Sequence, residues 1–396
     1  ALIVWSYQRQ GSALTTAMLS VCSYAPYVAM SVFAGAICDR WNKKVTMLVC
    51  DSFAAACTLA VLLLLRANRL EIWHLYCLNA LNGLMNTIQQ PASDVAATIL
   101  TPREHYQKTS AMRSFSSSVV NMLTPAAATA VMALAGIEAV IAFDLMTFAT
   151  AFVSLLLFVK IPDAVKSVEK RETVLKAARN AIGYLLRNRG ILDIILFLAA
   201  INFTASIYNA AFPAMLLSRQ GGGEAALGIV NTATGLALIA GSVIASILPE
   251  PKSRVRVICN TLLLSMSTEN FFLAFGRSTP VWCVGAILGW TVIPIMNANM
   301  DVLLRGSIPL EMQARVFSAR NTLQFFTIPV GYFLGGYLVD DVFEPFMAGE
   351  QGFLSAVFGS SKGSGAALLF CVIAFSGVAT CLLFRRDRHI WELERK

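Results

Sequence analysis

Long apolar runs, separated by short polar segments, make up most of the sequence. A helix needs about 20 apolar residues to cross a bilayer, and a window of that length predicts eleven spans here. The chain also opens on an apolar stretch that is typical of the last third of a helix. We therefore expect twelve helices, with the first largely missing. Spans two to twelve are predicted at about 15–37, 45–65, 71–93, 107–131, 138–159, 190–217, 225–248, 257–275, 281–304, 313–339 and 364–384.

The composition favours an all-α membrane protein. Of the 396 residues, 57% are apolar and 14% are charged, whereas soluble domains have about 45–50% apolar and about 25% charged residues. This difference excludes a disordered chain, a coiled coil, a disulfide scaffold and a large soluble catalytic domain. The nine cysteines form no C-x-x-C pair, the three histidines lie far apart, and the sequence contains no nucleotide-binding or hydrolase motif. We therefore expect no enzyme activity, no cofactor and no metal.

The positive charges concentrate in alternate loops. Most of the 31 lysines and arginines lie in one set, which includes residues 38–44, 160–189 and 385–396. We name the side with these loops the basic face and the other side the opposite face. The positive-inside rule places the basic face in the cytoplasm, together with both chain termini, for a protein of the cell membrane. The net charge of +8 is then a topology signal that needs no nucleic-acid partner.

The longest basic loop divides the predicted spans into two halves. We expect a first bundle over 1–160, a linker over 161–189, a second bundle over 190–384 and a cytoplasmic tail over 385–396. Apolar residues between Val168 and Arg189 share one face of a helical pattern. They indicate either an amphipathic helix at the lipid headgroups or a solvated linker helix.

A local repeat relates the two halves of the chain. One constant shift superposes Asp94 on Asp301, Pro102 on Pro309, Glu104 on Glu311, Lys108 on Arg315 and Arg113 on Arg320. The prolines and glutamates fit helix starts. A charge at the membrane edge is costly unless it is paired or hydrated. We therefore expect the aspartates and arginines to form one cytoplasmic salt-bridge network in each half, with substrate binding as the alternative role.

The loop after span two carries the most specific motif. It reads Gly35-Ala36-Ile37-Cys38-Asp39-Arg40-Trp41-Asn42-Lys43-Lys44. This resembles the G-x-x-x-D-R-x-G-R-K signature of the major facilitator superfamily. Asn42 replaces the second glycine, and we expect it to tolerate left-handed backbone geometry there.

Further segments resemble the drug-exporter branch of that superfamily, which contains macrolide efflux proteins. They are Trp73-His74-Leu75-Tyr76, Gln90-Pro91-Ala92, Thr124-Pro125-Ala126 and Asp144. Two departures stand out, because span four lacks the arginine of many proton antiporters and the second-half loop signature is reduced to Leu248-Pro249-Glu250-Pro251-Lys252.

The resemblance implies a twelve-helix fold of two six-helix bundles that rock around a central site. It implies a secondary active transporter that exports amphiphilic small molecules of drug or macrolide type, by proton antiport and alternating access. The alternatives are a proton-independent facilitator, an exporter of a siderophore or lysolipid, and a transport-inactive scaffold or sensor. Expected partners are the substrate, protons and membrane lipids, with the chain a monomer. The expected gating residues are Gly35, Asp39, Arg40, Lys43, Asp94, Lys108, Arg113, Asp301, Arg315 and Arg320.

Amides inside the spans are the candidate substrate ligands. In span four, Asn79, Asn82, Asn86 and Gln90 are three or four residues apart and share one helical stripe. The resemblance implies that spans one, four, seven and ten line a central cavity, and an amide-rich cavity suits a bulky amphiphile. The alternative is that the amides bridge helices. The predicted substrate contacts are Asn82, Asn86, Gln90, Asn202, Tyr208 and Asn297.

Two carboxylates within spans are the candidates for proton coupling. A desolvated carboxylate favours its neutral form, so Asp144 in span six and Glu269 in span nine could load and release protons. Asp144 matches a position of the drug-exporter branch, whereas Glu269 has no such counterpart. The alternative for each is a hydrogen bond to a neighbouring helix.

Overall fold

The computed structural model describes residues 2–102, 106–161, 183–308, 316, 320 and 322–394. Side chains are described for these residues except 31–40, 305 and scattered positions between 91 and 129. The described residues are predominantly helical and contain no strand. The predicted all-α fold is therefore confirmed.

The first four helices follow the predicted spans. They are α1 (Leu2–Gln10), α2 (Ala13–Arg40), α3 (Lys43–Arg66) and α4 (Ile72–Leu100). The free N–H groups at a helix start need acceptors, and Ser12 and Asn42 supply them to α2 and α3. Asn42 has φ −63° and ψ 123°. Asn42 is therefore an extended N-cap and does not adopt the left-handed geometry that asparagine tolerates.

A glycine separates the next two helices. The helical run Tyr106–Leu157 is interrupted at Gly136, whose φ of 77° lies in the region that favours glycine. We call residues 106–135 α5 and residues 137–157 α6. The break falls between predicted spans five and six.

The second half contains six further long helices. They are α7 (Arg189–Ser218), α8 (Glu224–Ile247), α9 (Arg254–Phe275), α10 (Thr279–Thr291 and Ile293–Ser307), α11 (Thr327–Tyr337, Leu338–Phe343 and Glu344–Gly349) and α12 (Ser364–Arg385). Proline has no N–H, so Pro294 accounts for the division of α10. In α11, Leu338–Phe343 forms a π-helix, and the helix ends ten residues beyond the predicted boundary.

The helices pack as two groups with defined contacts between them. In the first half α2 and α3 pack on α4, and in the second half α9 packs on α12, α7 on α11 and α8 on α10. Across the two halves, α2 packs on α11, α5 packs on α8, and α1 and α2 touch α7. The space at their junction is therefore lined from both halves.

Within the described part of the chain, nine helical stretches are long and apolar enough to cross a membrane. They correspond to α2, α3, α6 and α7 to α12. Most of the predicted linker lies outside the described residues, and its end at 183–187 is helical with Leu185 buried.

The chain after α12 packs against the second half at the basic face. The short helix Arg388–Glu392 follows α12, and Ile390 is buried. Glu394 accepts hydrogen bonds from Ser253 Oγ (2.8 Å) and from the N–H of Val255 (2.6 Å), so it caps α9. His389 Nδ1 lies 3.2 Å from Asp193 of α7.

Candidate functional site

A cavity of about 350 Å³ lies between the two halves. It is lined from α1, α2 and α5 on one side and from α7, α8 and α11 on the other. No charged side chain occurs among its described lining residues, so it offers hydroxyl and amide groups beside apolar walls. Its polar lining residues are Thr16, Ser20, Thr124, Asn209, Asn231 and Tyr332.

A second cavity, of about 460 Å³, lies inside the first bundle and adjoins the central one. The two cavities share Ile3 and Thr124 in their walls. The second cavity is lined by Asn82, a predicted substrate contact, and by Asp144, a predicted proton-coupling residue. Thr58 Oγ1 donates to Asp144 Oδ2 at 3.3 Å. The structure therefore brings one candidate of each kind to the same space.

The other predicted substrate contacts lie elsewhere. Asn86, Gln90 and Asn297 are exposed and Asn202 is half-buried, and none of the four lines either cavity. Tyr208 is only 8% exposed and faces the interior of the second bundle.

The predicted contacts include none of the six polar residues of the central cavity, among them two amides and a tyrosine. Asn209 directly follows Tyr208, and one residue turns a helix by about 100°, so it faces the cavity that Tyr208 does not. Asn231 and Tyr332 belong to α8 and α11, which were not expected to line the cavity. An isolated amide in the otherwise apolar α8 is the signal that could have found Asn231.

Glu269 is held in a buried polar cluster of the second bundle. It is 5% exposed, and its Oε1 accepts hydrogen bonds from the Tyr208 hydroxyl (2.5 Å) and from Trp290 Nε1 (2.6 Å). Gly289 of α10 packs on the Glu269 side chain, and a Cβ there would lie 2.7 Å from that of Glu269. A buried carboxylate costs free energy unless its oxygens are hydrogen-bonded. The two donors from α7 and α10 meet that requirement for Oε1.

The two halves are joined by hydrogen bonds at the opposite face. Six such bonds connect the end of α1 and the start of α2 to α7, α8, α11 and the loop before α12. They join Tyr7 to Ser218, Gln8 to Glu224, Lys362 to Gly11, and Asp340 to Ser12, Ala13 and Leu14.

Aromatic contacts continue this seam along α2 and α11. Tyr24 stacks on Tyr332 with ring centroids 6.0 Å apart, and Tyr27 meets Phe325 edge to face at 6.2 Å. The central cavity is thus closed toward the opposite face by polar contacts and bordered by aromatic rings.

The structure describes only some of the predicted gating residues on the basic face. Arg320 Nη1 lies 3.8 Å from Asp301 Oδ1, and Arg320 Nε donates to Gln324 Oε1 at 3.0 Å. Lys43 is buried and donates to the carbonyl of Trp41 at 3.1 Å. The remaining predicted gating residues lie outside the described residues or side chains: Gly35, Asp39, Arg40, Asp94, Lys108, Arg113 and Arg315.

One group of side chains has the spacing of metal ligands. Ligand atoms of Asp193, Asp387 and His389 lie within 4.8 Å of one another. His389 Nδ1 is 3.2 Å from Asp193 and 3.4 Å from Asp387, so the imidazole itself lies within contact distance of both carboxylates. Sequence spacing could not have grouped residues that are nearly 200 positions apart.

Membrane-length helices in two packed groups, with a cavity between them that is closed at one face, define a helical membrane transporter. Residues 1–332 match the family described as the Major Facilitator Superfamily. The chain therefore belongs to the major facilitator superfamily and has its fold of two six-helix bundles.

Comparisons with individual proteins agree with this family. Macrolide efflux protein A of Streptococcus pyogenes is 21% identical over 347 residues, which cover 86% of this chain and 85% of the relative. Macrolide efflux protein A of Enterococcus faecalis is 22% identical over 327 residues, which cover 81% of this chain and 99% of the relative.

Solved structures show the same fold. A variant of the nucleoside transporter NupG superposes with a TM-score of 0.68 at 14% identity, covering 97% of this chain and 93% of that one. An inward-facing, unoccupied bacterial homologue of the human lysosomal transporter Spinster superposes with a TM-score of 0.64 at 13% identity, covering 97% and 90%.

Proposed function

We propose that the chain is a secondary active exporter of amphiphilic small molecules that works by proton antiport and alternating access. The observation that carries this proposal is the uncharged, amide- and hydroxyl-lined cavity between the bundles in a chain similar to macrolide efflux proteins. On this proposal the basic face is cytoplasmic, the opposite face is extracellular, and the protein acts as a monomer in the cell membrane.

The lining of the cavity supports an amphiphilic substrate. Asn209, Asn231 and Ser20 provide hydrogen-bonding groups, whereas Phe212, Leu227 and other apolar residues provide the walls. Binding sites for bulky organic ligands are mostly apolar with a few convergent polar groups. An inorganic anion or a phosphate ester would instead call for arginine or lysine.

The carboxylates in the membrane supply the proposed proton sites. Asp144 lines the second cavity, which adjoins the central one. On this proposal, protons reach Glu269 from the central cavity along α7. Tyr208 donates a hydrogen bond to Glu269, and its neighbour Asn209 lines that cavity. We assign the coupling role to Glu269 in preference to Asp144. The donors to Glu269, Tyr208 and Trp290, belong to α7 and α10, so a change in its protonation would rearrange the contacts of both helices.

Transport by the purified full chain tests the proposal. Proteoliposomes with a pH-sensitive dye inside would be given a radiolabelled macrolide, with and without an imposed pH gradient. We expect gradient-driven accumulation together with proton movement in the opposite direction. Macrolide flux without any pH response would replace the antiporter with a facilitator. No flux for macrolides, siderophores or lysolipids would favour a scaffold or sensor.

Growth of a sensitive host provides a second, independent readout. An efflux-deficient bacterial strain expressing the gene would be exposed to a panel of macrolides and other amphiphiles. Resistance confined to compounds with a large apolar surface would support the assigned class. Resistance confined to small charged compounds would contradict it.

A further inference from the structure

Asp340 of α11 caps a helix that belongs to the other bundle. Its Oδ2 accepts from Ser12 Oγ at 2.6 Å and from the N–H of Leu14 at 2.7 Å, and its Oδ1 accepts from the N–H of Ala13 at 2.9 Å. A cap normally comes from a residue beside the helix it serves. Here the first turn of α2 finds its acceptors across the interface between the bundles.

The local sequence of α11 explains how this carboxylate reaches α2. Gly336 lies one turn before Asp340, and a Cβ there would lie 2.6 Å from Leu14 Cα and 2.9 Å from Ala17 Cβ. The missing side chain therefore lets the two helices approach closely enough for hydrogen bonds. The π-helical segment Leu338–Phe343 begins between these two residues, and such segments often occur at functional positions.

We propose that Asp340 is the lock of the gate at the opposite face: its carboxylate holds the first turn of α2 while the gate is closed, and loss of this cap releases α2. The proposal deepens the exporter function proposed above and rests on it for the direction of opening. An anion at a helix N-terminus is stabilised by the helix dipole and by the free N–H groups. A neutral amide in its place would keep only part of that interaction, since it lacks the charge and one acceptor oxygen.

The charged groups around Asp340 bind other partners, so its carboxylate bonds to α2. From its own helix, Asp341 is exposed, and Glu344 accepts from the N–H groups of Gly363 and Ala366. Lys362 donates to the carbonyl of Gly11 at 3.0 Å, so its ammonium is already engaged. Tyr7 and Ser218 share a hydrogen bond nearby.

Asp340 lies outside the central cavity. Asp340, Asp341, Glu344 and Lys362 line a cavity of about 600 Å³ at the opposite face. This cavity is separate from the central one, because the two share no lining residue. A substitution at Asp340 therefore leaves the lining of the central cavity unchanged.

Labelling of a cavity cysteine from the opposite face tests the lock. Asn209→Cys, in a background without the native cysteines, places a thiol in the central cavity. A membrane-impermeant thiol reagent applied to intact cells reaches this thiol only through the gate. We expect slow labelling of this parent at pH 7.5.

The variants separate the lock from general effects of charge. Asp340→Asn should label roughly tenfold faster than the parent at pH 7.5, as the loss of charge-assisted hydrogen bonds predicts. Asp341→Asn is the matched control and should behave as the parent does. Asp340→Ala, checked for normal amount in the membrane, should repeat the fast labelling.

Two results would overturn the lock. One is Asp340→Asn labelling at the parent rate, and the other is Asp341→Asn matching the effect of Asp340→Asn. The assay needs neither substrate nor gradient. Failure of macrolide transport with normal gating would therefore remove the exporter proposal alone, and intact transport with no effect at Asp340 would remove the lock alone.

Discussion

At the scale of single residues, the second bundle contains one polar cluster that the sequence could only half predict. Glu269 stands out in the sequence as a carboxylate within an apolar span, and it lies within a helix that is long and apolar enough to cross a membrane. Its partners, Tyr208 and Trp290, come from other helices. A sequence gives the phase of each helix only approximately, so it could not distinguish Tyr208, which faces Glu269, from Asn209, which faces the cavity.

Replacement of Glu269 should separate coupling from binding. Glu269→Gln keeps the side-chain oxygen as an acceptor for Tyr208 and Trp290 but cannot be ionised, so the protein should fold and bind macrolide. Transport driven by a pH gradient should fall to the level of empty liposomes, while exchange of labelled for unlabelled substrate should continue. Flux assays in the two modes measure the difference.

The matched control for this prediction is Asp144→Asn. If Glu269 is the coupling residue, Asp144→Asn keeps gradient-driven flux, and the reverse pattern would assign coupling to Asp144. Loss of both transport modes in Glu269→Gln would show that the cluster maintains the fold of the bundle.

Arg219 illustrates a buried charge with a structural role. It is 5% exposed, and its guanidinium donates to the carbonyls of Leu273 (2.8 Å), Ala274 (3.1 Å) and Phe358 (3.5 Å). Burial, with a smaller contribution from Arg277, lowers its pKa to about 10. The group is therefore still charged at neutral pH.

Removal of this guanidinium should destabilise the second bundle. Hydrogen bonds to charged groups contribute about 1.5–3 kcal/mol each, so Arg219→Met should lower the melting temperature in detergent by several degrees. Arg277→Met is the control, because Arg277 also donates to two carbonyls, those of Ala356 and Val357, but is exposed. An equal decrease for both variants would contradict the assignment.

At the scale of helices, the hydrophobic pattern predicted most spans because their length is set by the bilayer. The break at Gly136 also lies between predicted spans five and six. The pattern did not predict the extension of α11 to Gly349. Asp340 and Glu344 ended the apolar window there, although both carboxylates accept hydrogen bonds from neighbouring segments. The end of α11 is therefore set by tertiary contacts, which a hydropathy profile does not show.

Close packing of helices depends on glycines that a sequence does not distinguish from others. A Cβ at Gly83 of α4 would overlap the carbonyl of Ser23 in α2, whereas a Cβ at Gly306 of α10 would have no described atom within 4 Å. Gly83→Ala should therefore reduce stability by about 1–3 kcal/mol. Gly306→Ala should be neutral or slightly stabilising, since alanine favours the helix. Thermal unfolding in detergent compares the two, and equal values would refute this account of α2–α4 packing.

At the scale of the whole molecule, the described contacts that close the cavity lie at the face that the charges did not indicate. Sequence analysis placed the gate on the basic face, where lysines and arginines concentrate. The described contacts between the bundles at the opposite face use backbone groups, hydroxyls, amides and single charges. Such contacts join positions more than 200 residues apart and leave no motif, so only the folded chain reveals them.

A covalent link across this face should stop the transport cycle. Gln8 and Glu224 are hydrogen-bonded between the bundles, so cysteines at both positions, joined by a short thiol cross-linker, should abolish macrolide flux. The cross-linker is one that attaches through disulfides, so a reductant should release it and restore macrolide flux. The pair Arg66 and Glu138, 3.2 Å apart within the first bundle, is the control. Full flux through the linked Gln8–Glu224 pair would mean that these bundles do not separate at the opposite face.

The capping of α9 by Glu394 has a consequence for biosynthesis. The ribosome makes Ser253 and Val255 long before Glu394, and it makes Asp193 long before His389. The base of the second bundle therefore stays incomplete until the segment that contains His389 and Glu394 has been made. We expect nascent chains that stop shortly after α12 to be the preferred targets of membrane proteases.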